Sequence, residues 1–173
     1  MLKNQNGCIK EGIIMKIAIG SDRRGFETKT KLIDYLQNKG IDIIDEGPFD
    51  DKFPVDYPIY GEKVGNAVVN KEANYGIVIC ATGIGIMIAA NKVKGVRCGM
   101  AYTDEVAKLM REHNDANVIA FGQSQMKYED IERRLDIFLN TKFLEGYHIT
   151  RVKQMSDIEN GIPIKQTPFI DKV

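Results

Sequence analysis

The chain has 173 residues, of which 43% are hydrophobic and 28% are charged, an ordinary composition for one globular domain. Lys and Arg together number 24 and so do Asp and Glu, which leaves no net charge to attract nucleic acid or an anionic membrane surface. The longest apolar run, 84–90, is too short to cross a bilayer, and the 3 cysteines and 2 histidines lack the spacing of a disulfide framework or a zinc site. We therefore expect a cytoplasmic protein with no metal, no nucleic-acid partner and no membrane partner.

Short β-branched runs alternate with segments of helical period along the chain. The runs predict strands at 16–20, 41–45, 75–80, 96–102 and 117–122. The helical periods predict helices at 24–39, 57–70, 83–94, 128–140 and about 151–158, and one more that is capped by Thr103. This alternation predicts an α/β fold, a doubly wound, Rossmann-like sheet of five parallel strands with helices on both faces.

The predicted domain occupies residues 15–159. Residues 1–14 are polar with weak periodicity, and we expect a leader extension that can be disordered. From 160 onward Gly161, Pro163 and Pro168 interrupt any period, so 160–173 is expected to be an extended or disordered C-terminal tail. Segment 83–94 is apolar nearly all round, which predicts a buried helix.

The end of the third predicted strand carries the most informative residues. In doubly wound sheets ligands bind beyond the carboxyl ends of the strands. Cys80 ends this strand, Thr82 follows it, and Gly83 and Gly85 let a ligand approach the backbone of the next helix. The N–H groups that open the helix favour an oxyanion and a Cys80 thiolate, which can act as a base or nucleophile. The alternative is that Cys80 is a small packed thiol.

The same loop partly fits a dinucleotide-binding fingerprint. Gly83 and Gly85 match its first two glycines, and Asp104 lies 21 residues beyond Gly83, near the expected distance of a ribose contact. Ile88 occupies the position of the third glycine, and Asp104 is equally suited to open a helix. Dinucleotide binding is therefore a minor alternative.

Other polar residues lie in predicted loops. Arg23 follows Asp22 at the start of a helix, where a cation opposes the helix dipole and a bound phosphate would explain it. His113 lies among amide side chains, which favours a general acid. Tyr57 follows a helix cap and can line a pocket, whereas the stretch of His148 and Arg151 is expected to be solvated surface.

Taken together, these segments resemble the ribose-5-phosphate isomerase type B family, which includes the galactose-6-phosphate isomerase subunits. The collinear pieces are KIAIGSDRRGFETK, Asp56-Tyr57-Pro58, GIVICATGIGIMIAANKVKGVR, REHNDANVIAFG, and His148 with Arg151-Val152. The resemblance implies an aldose–ketose isomerase of sugar phosphates, with ribose 5-phosphate as the substrate, on a Rossmann-like sheet. It also implies no cofactor, and a homodimer or homotetramer whose active sites are shared between subunits.

The resemblance further implies the chemistry of the loop after the third strand. The family uses either a cysteine at the strand end or a glutamate within the helix, and here Cys80 is present while Ile86 fills the other position. Cys80 would then move a proton between C1 and C2 through a cis-enediolate. Thr82 would move the proton between the two oxygens, and the backbone at Gly83 and Gly85 would stabilise the enediolate.

The remaining roles implied by the resemblance concern ring opening and substrate binding. Asp22 and His113 would assist opening of the furanose ring. Tyr57 and Asn114 would bind sugar hydroxyls, and the neighbouring subunit would supply His113 and Asn114.

The chain departs from the family in its predicted phosphate site. Arg23 stands where the family has a histidine, and Ser124 and Tyr147 replace arginines, which leaves Arg151 as the matching cation. Arg23 and Arg151 would therefore bind the phosphate. Because of these differences, a hexose-phosphate isomerase of the galactose or allose 6-phosphate type and a non-catalytic nucleotide- or sugar-phosphate-binding module are kept as alternatives.

Overall fold

A computed structural model describes residues 15–167; the predicted leader 1–14 and residues 168–173 lie outside the described residues. Within 15–167 the strands are β1 (Lys16–Ser21), β2 (Asp42–Gly47), β3 (Tyr75–Cys80), β4 (Cys98–Met100) and β5 (Val118–Gly122). The helices are α1 (Phe26–Asn38), α2 (Tyr57–Val69), α3 (Ile84–Ala90), α4 (Asp104–Glu112), α5 (Tyr128–Asn140) and α6 (Tyr147–Glu159). No helix in this range combines the length and hydropathy needed to cross a bilayer.

The five strands form one parallel sheet in the order β2-β1-β3-β5-β4. Successive residues of a strand point to opposite faces, and both faces here are apolar. Ile17, Ile77 and Ile119 pack on one face against α1, α4 and α5, whereas Ala18 and Val78 pack on the other face with residues of α2 and α3. The predicted α/β fold, with a five-stranded parallel sheet between helices, is therefore confirmed.

The largest departures from the predicted bounds lie between α3 and β4. The helix predicted for 83–94 ends at Ala90, and the strand predicted for 96–102 is only three residues long. The Asn91 side chain explains both, because its amide donates to the Cys98 carbonyl at 2.9 Å and accepts from the Cys98 N–H at 2.8 Å. Within the single chain the predicted buried helix is only partly covered, since Ile84 is 54% exposed and Ile88 is 50% exposed.

Helix α6 begins four residues before its predicted start at residue 151. Gly146 has a positive φ of 57°, and its carbonyl accepts the N–H of Ile149 at 3.2 Å, so the turn at Gly146 starts the helix. Residues 162–167 contain no helix or strand, and the Lys165 carbonyl accepts the Gln154 side chain at 2.8 Å. This part of the predicted tail therefore has no regular secondary structure and contacts α6 at Gln154.

Candidate active site

The first half of the candidate site lies where the strand order reverses, at the carboxyl ends of β1 and β3. We call this side of the sheet the carboxyl edge and the opposite side the amino edge. The N–H of Asp22, just beyond β1, donates to the Ile79 carbonyl at 3.0 Å, so the β1 loop lies against the end of β3. The Asp22 carboxylate accepts the Gly25 N–H at 2.8 Å, which fixes the turn into α1. A crevice at this point of a doubly wound sheet is the usual place for a ligand.

Cys80 is the last residue of β3 and is only 5% exposed. Its Sγ accepts the backbone N–H of Gly83 at 3.0 Å. The sulfur therefore lies buried at the switch point of the sheet, in contact with a backbone hydrogen-bond donor. Gly83 makes this turn with a φ of +80°, and a Cβ there would lie 2.8 Å from the Phe121 carbonyl carbon. Only glycine can therefore form the turn that directs this N–H at Cys80.

Tyr57 and Thr82 complete the carboxyl edge. A Cβ on Gly85 would lie 2.7 Å from Cζ of the Tyr57 ring, so the start of α2 packs directly on the first turn of α3. The Thr82 hydroxyl is exposed and accepts the N–H of Ile84 at 3.3 Å. The structure therefore places the predicted residues of this loop and the Tyr57 ring side by side.

Two groups of contacts that the sequence analysis missed hold the carboxyl edge together. The Thr28 hydroxyl, on α1, donates to the Gln123 side chain at 2.9 Å, and the Gln123 N–H donates to the Cys80 carbonyl at 3.0 Å. On the far side, the buried Lys29 ammonium contacts Asp45 at 2.6 Å and the Pro48 carbonyl at 2.8 Å, where the loop toward Tyr57 begins. A buried lysine paired across two elements carries no periodic signal, so only the structure reveals it.

His113 and Asn114 lie on the amino edge, between α4 and β5. The Arg97 side chain, just before β4, donates to the Asn114 carbonyl at 3.1 Å and to the Asp115 carboxylate at 2.8 Å. The buried Arg111 donates to the other Asp115 oxygen at 2.8 Å and thereby supports the left-handed backbone of Asp115 at φ 46°. The five residues of β5 span about 13 Å, so one chain holds His113 and Cys80 on opposite edges of the sheet.

His148 and Arg151 join His113 on the amino edge. The rings of His113 and His148 stack with centroids 4.3 Å apart, and the Tyr147 ring lies 4.1 Å from His148. The Arg151 guanidinium lies 4.5 Å from the centroid of the Tyr147 ring. His148 is 4% exposed, so the expectation that it is solvated surface is wrong; the early start of α6 carries it against α4. Burial, followed by His113 and Arg151, lowers the pKa of His148.

The structure does not support a dinucleotide site. The Asp104 carboxylate is engaged by Arg133 at 2.8 Å and by Arg134 at 3.2 Å, and these cations lower its pKa. Asp104 also follows β4, which β5 separates from β3 in the sheet. Within 15–167, no three His, Cys, Asp or Glu side chains gather into a group that could hold a metal ion.

Comparison with known proteins identifies the family. The family described as Ribose/Galactose Isomerase matches residues 17–155. The chain belongs to this family. It is 39% identical over 144 residues to ribose-5-phosphate isomerase B of Escherichia coli, covering 83% of this chain and 96% of that protein. It is also 38% identical over 129 residues to galactose-6-phosphate isomerase subunit LacB of Clostridium acetobutylicum, covering 75% of this chain and 74% of that subunit.

A solved structure shows the same fold. Ribose-5-phosphate isomerase B of Clostridium thermocellum has a TM-score of 0.83 and 42% sequence identity, covering 85% of this chain and 99% of that chain. The resemblance stated from the motifs is therefore confirmed. The chain is an aldose–ketose isomerase of the sugar-phosphate class.

Proposed function

We propose that this chain converts ribose 5-phosphate to ribulose 5-phosphate through a cis-enediolate, with Cys80 as the base. The observation that carries the proposal is the buried Cys80 thiol at the switch point of the sheet, with the Gly83 N–H pointing at its sulfur. Relatives and neighbours named ribose-5-phosphate isomerase B support the choice of substrate. No cofactor is proposed, because this proton transfer needs only a base and groups that stabilise the oxyanion.

The proposed chemistry starts from the open-chain aldose. The Cys80 thiolate removes the proton from C2, and the electrons form the enediolate as the C1 carbonyl becomes an oxyanion. The backbone around Gly83 and Gly85 would stabilise this charge, and the exposed Thr82 hydroxyl would move a proton between O1 and O2. Return of the proton from Cys80 to C1 then gives the ketose.

Ring opening and hydroxyl binding require residues from both edges of the sheet. Asp22 lies beside the end of β3, whereas His113 and Asn114 lie on the amino edge. We propose a homodimer or homotetramer in which the partner subunit supplies His113 and Asn114 to the edge that carries Cys80. Tyr57 is 40% exposed and packs on Gly85. We propose that it contacts the sugar hydroxyls together with Asn114.

The phosphate is proposed to bind between two arginines. Arg23 is exposed beyond β1, next to the Asp22 turn, and its guanidinium can form paired hydrogen bonds with a dianion. Arg151 accompanies His113 on the amino edge. If the partner supplies His113, it supplies Arg151 as well, so the phosphate would bind one guanidinium from each subunit.

The substitution Cys80→Ala tests the proposal at its centre. Loss of a positioned base lowers turnover by about 10²–10⁴-fold, measured as ribulose 5-phosphate formation and as solvent deuterium uptake at the transferred carbon. Cys98→Ala is the matched control, because Cys98 lies within β4, where burial raises the pKa of its thiol. A Cys80→Ala enzyme with parental turnover would remove Cys80 as the base, and a parent that binds the sugar phosphate without converting it would favour the binding-module alternative.

A hexose 6-phosphate is the second candidate substrate. The similarity to a galactose-6-phosphate isomerase subunit favours it, and so does the longer Arg23 side chain, which shifts where a phosphate can bind. Comparing kcat/KM for ribose, allose and galactose phosphates decides between the candidates. The proposal requires the highest value for ribose 5-phosphate, and a higher value for a hexose phosphate would replace it.

A further inference from the structure

The amino edge carries a second histidine that the proposed mechanism does not use. His148 lies face to face with His113, with ring centroids 4.3 Å apart and ring planes 12° apart. It is 4% exposed, although it lies in the first turn of α6 beside residues that are mostly exposed. Among residues 15–167, its Nδ1 has no hydrogen-bond partner. Buried polar groups in proteins are usually hydrogen-bonded, so the burial of this ring needs another explanation. The stack on His113 provides one.

Backbone hydrogen bonds fix the main chain at both histidines, but they do not fix the orientation of the His113 ring. The His113 N–H donates to the Leu109 carbonyl at 2.9 Å and ends α4. The Leu144 N–H donates to the Glu112 carbonyl at 3.0 Å, and this bond ties the segment before α6 to the end of α4. An imidazole on a fixed backbone can still rotate about its two side-chain torsions. The parallel His148 ring covers one face of the His113 imidazole and restricts that rotation.

The charge on His148 is compatible with this role. Burial is the largest cause that lowers the pKa of His148, His113 and Arg151 lower it further, and Glu112 raises it. His148 is therefore neutral at neutral pH. A neutral His148 ring adds no charge beside the His113 imidazole, so the stack is not opposed by repulsion from His148.

We infer that His148 is a positioning residue, which holds the His113 imidazole in the orientation that opens the furanose ring. This inference rests on the proposed function. In ring opening, the anomeric O1–H gives up its proton, the C1–O4 bond breaks as the C1=O1 bond forms, and O4 gains a proton. His113 and Asp22 share the acid and base roles, so a misdirected imidazole slows this step. The later proton transfer at Cys80 does not involve His113.

Two substrates separate ring opening from the later chemistry. Ribose 5-phosphate reaches the enzyme mainly as a furanose, whereas ribulose 5-phosphate is open-chain because its C5 oxygen is esterified. Exchange of a C1 hydrogen of ribulose 5-phosphate with solvent deuterium therefore needs Cys80 but no ring opening. His148→Ala is expected to lower kcat for ribose 5-phosphate by about 10- to 100-fold, as misplacement of a catalytic group does. The exchange rate should change by less than about twofold.

Variants that keep or remove the flat ring complete the test. His148→Phe preserves the stack and should restore kcat for ribose 5-phosphate to within about threefold of the parent. Lys153→Ala, a substitution of a side chain that is 70% exposed on the same helix, is the control and should match the parent in both assays. If His148→Ala does not fold, His148→Leu, which fills the space without a flat ring, takes its place with the same expected result.

Each alternative outcome has a distinct meaning. Equal losses in both assays, unchanged turnover of ribose 5-phosphate, or a His148→Phe enzyme as slow as His148→Ala would overturn the positioning role while the proposed function stands. A parent enzyme that neither converts ribose 5-phosphate nor exchanges ribulose 5-phosphate would overturn the proposed function, and the role of His148 with it.

Discussion

Mixing two inactive variants tests whether active sites are built from two chains. One chain places Cys80 at the carboxyl end of β3 and His113 before the amino end of β5, about 13 Å of strand apart. Under the proposed function, a working site therefore takes Cys80 from one subunit and His113 from its partner. Cys80→Ala and His113→Ala are each expected to be inactive as homodimers, because every site then lacks one of the two groups.

If each site takes residues from two chains, the expected activity of the mixture can be calculated. Random exchange of equal amounts makes half of all dimers mixed. In a mixed dimer with two-fold symmetry, one site combines both substituted residues and the other combines neither, so half of its sites are intact. The mixture should therefore regain about a quarter of the parental activity. If Cys80 and His113 of the same chain formed the site, every site would carry one defect and no activity would return.

The assay follows ribose 5-phosphate turnover after subunit exchange, with native mass spectrometry of differently tagged chains to count the hybrids. Cys80→Ala mixed with Thr82→Ala is the matched control: both residues lie on one loop, so no site in the hybrid is intact. Recovery near a quarter in the first mixture and none in the second supports shared sites. Hybrids without activity in the first mixture would refute the reasoning.

Two further predictions concern phosphate binding and pH. Arg23→Ala should weaken binding of every phosphorylated substrate by about 1.5–3 kcal/mol, seen as a higher KM. Arg24→Ala, at the neighbouring exposed residue, is the control and should leave KM unchanged. Equal KM values for Arg23→Ala and the parent would contradict an Arg23 contact with the phosphate. Because the folded protein lowers the pKa of His148 below the ordinary 6.5, the unfolded chain binds more protons as pH falls through that value. The unfolding free energy should therefore drop as pH falls below about 6.5, and His148→Phe should make this drop smaller. Urea titrations at several pH values measure the drop in both proteins. An identical pH dependence in the parent and in His148→Phe would contradict the lowered pKa of His148.

Much of the fold follows from local sequence pattern, and the errors occur where tertiary contacts decide. The bounds of β3 and α5 match the prediction, because a continuous apolar run and a clear helical period mark them. The region around α3 and β4 does not match, because the Asn91 side chain binds the backbone of Cys98, and a polar side chain in a loop gives no periodic signal. Such a contact is visible only in three dimensions.

The candidate site likewise has some contacts that the sequence predicts and others that only the structure shows. The rule for parallel strands predicts that Asp22 and Cys80 lie near each other, and the structure places their loops in contact. The contact of Tyr57 with Gly85 depends on how α2 crosses α3, which strand order does not specify. The polar neighbours of His148 predict a surface position, yet the turn at Gly146 brings its ring against that of His113. Its burial depends on two helices that are far apart in sequence.

Under the proposed function, phosphate binding and subunit association are linked. Arg23 lies on the carboxyl edge, and the Arg151 guanidinium lies over the Tyr147 ring on the amino edge, where an aromatic face stabilises a cation. A phosphate held between the two arginines would therefore contact both subunits. Since a ligand stabilises the state that binds it, a saturating sugar phosphate should lower the dissociation constant of the dimer. Sedimentation at falling protein concentration measures this shift, and Arg151→Ala should reduce it. If the sugar phosphate leaves the dissociation constant of the dimer unchanged, both phosphate contacts would have to come from one chain.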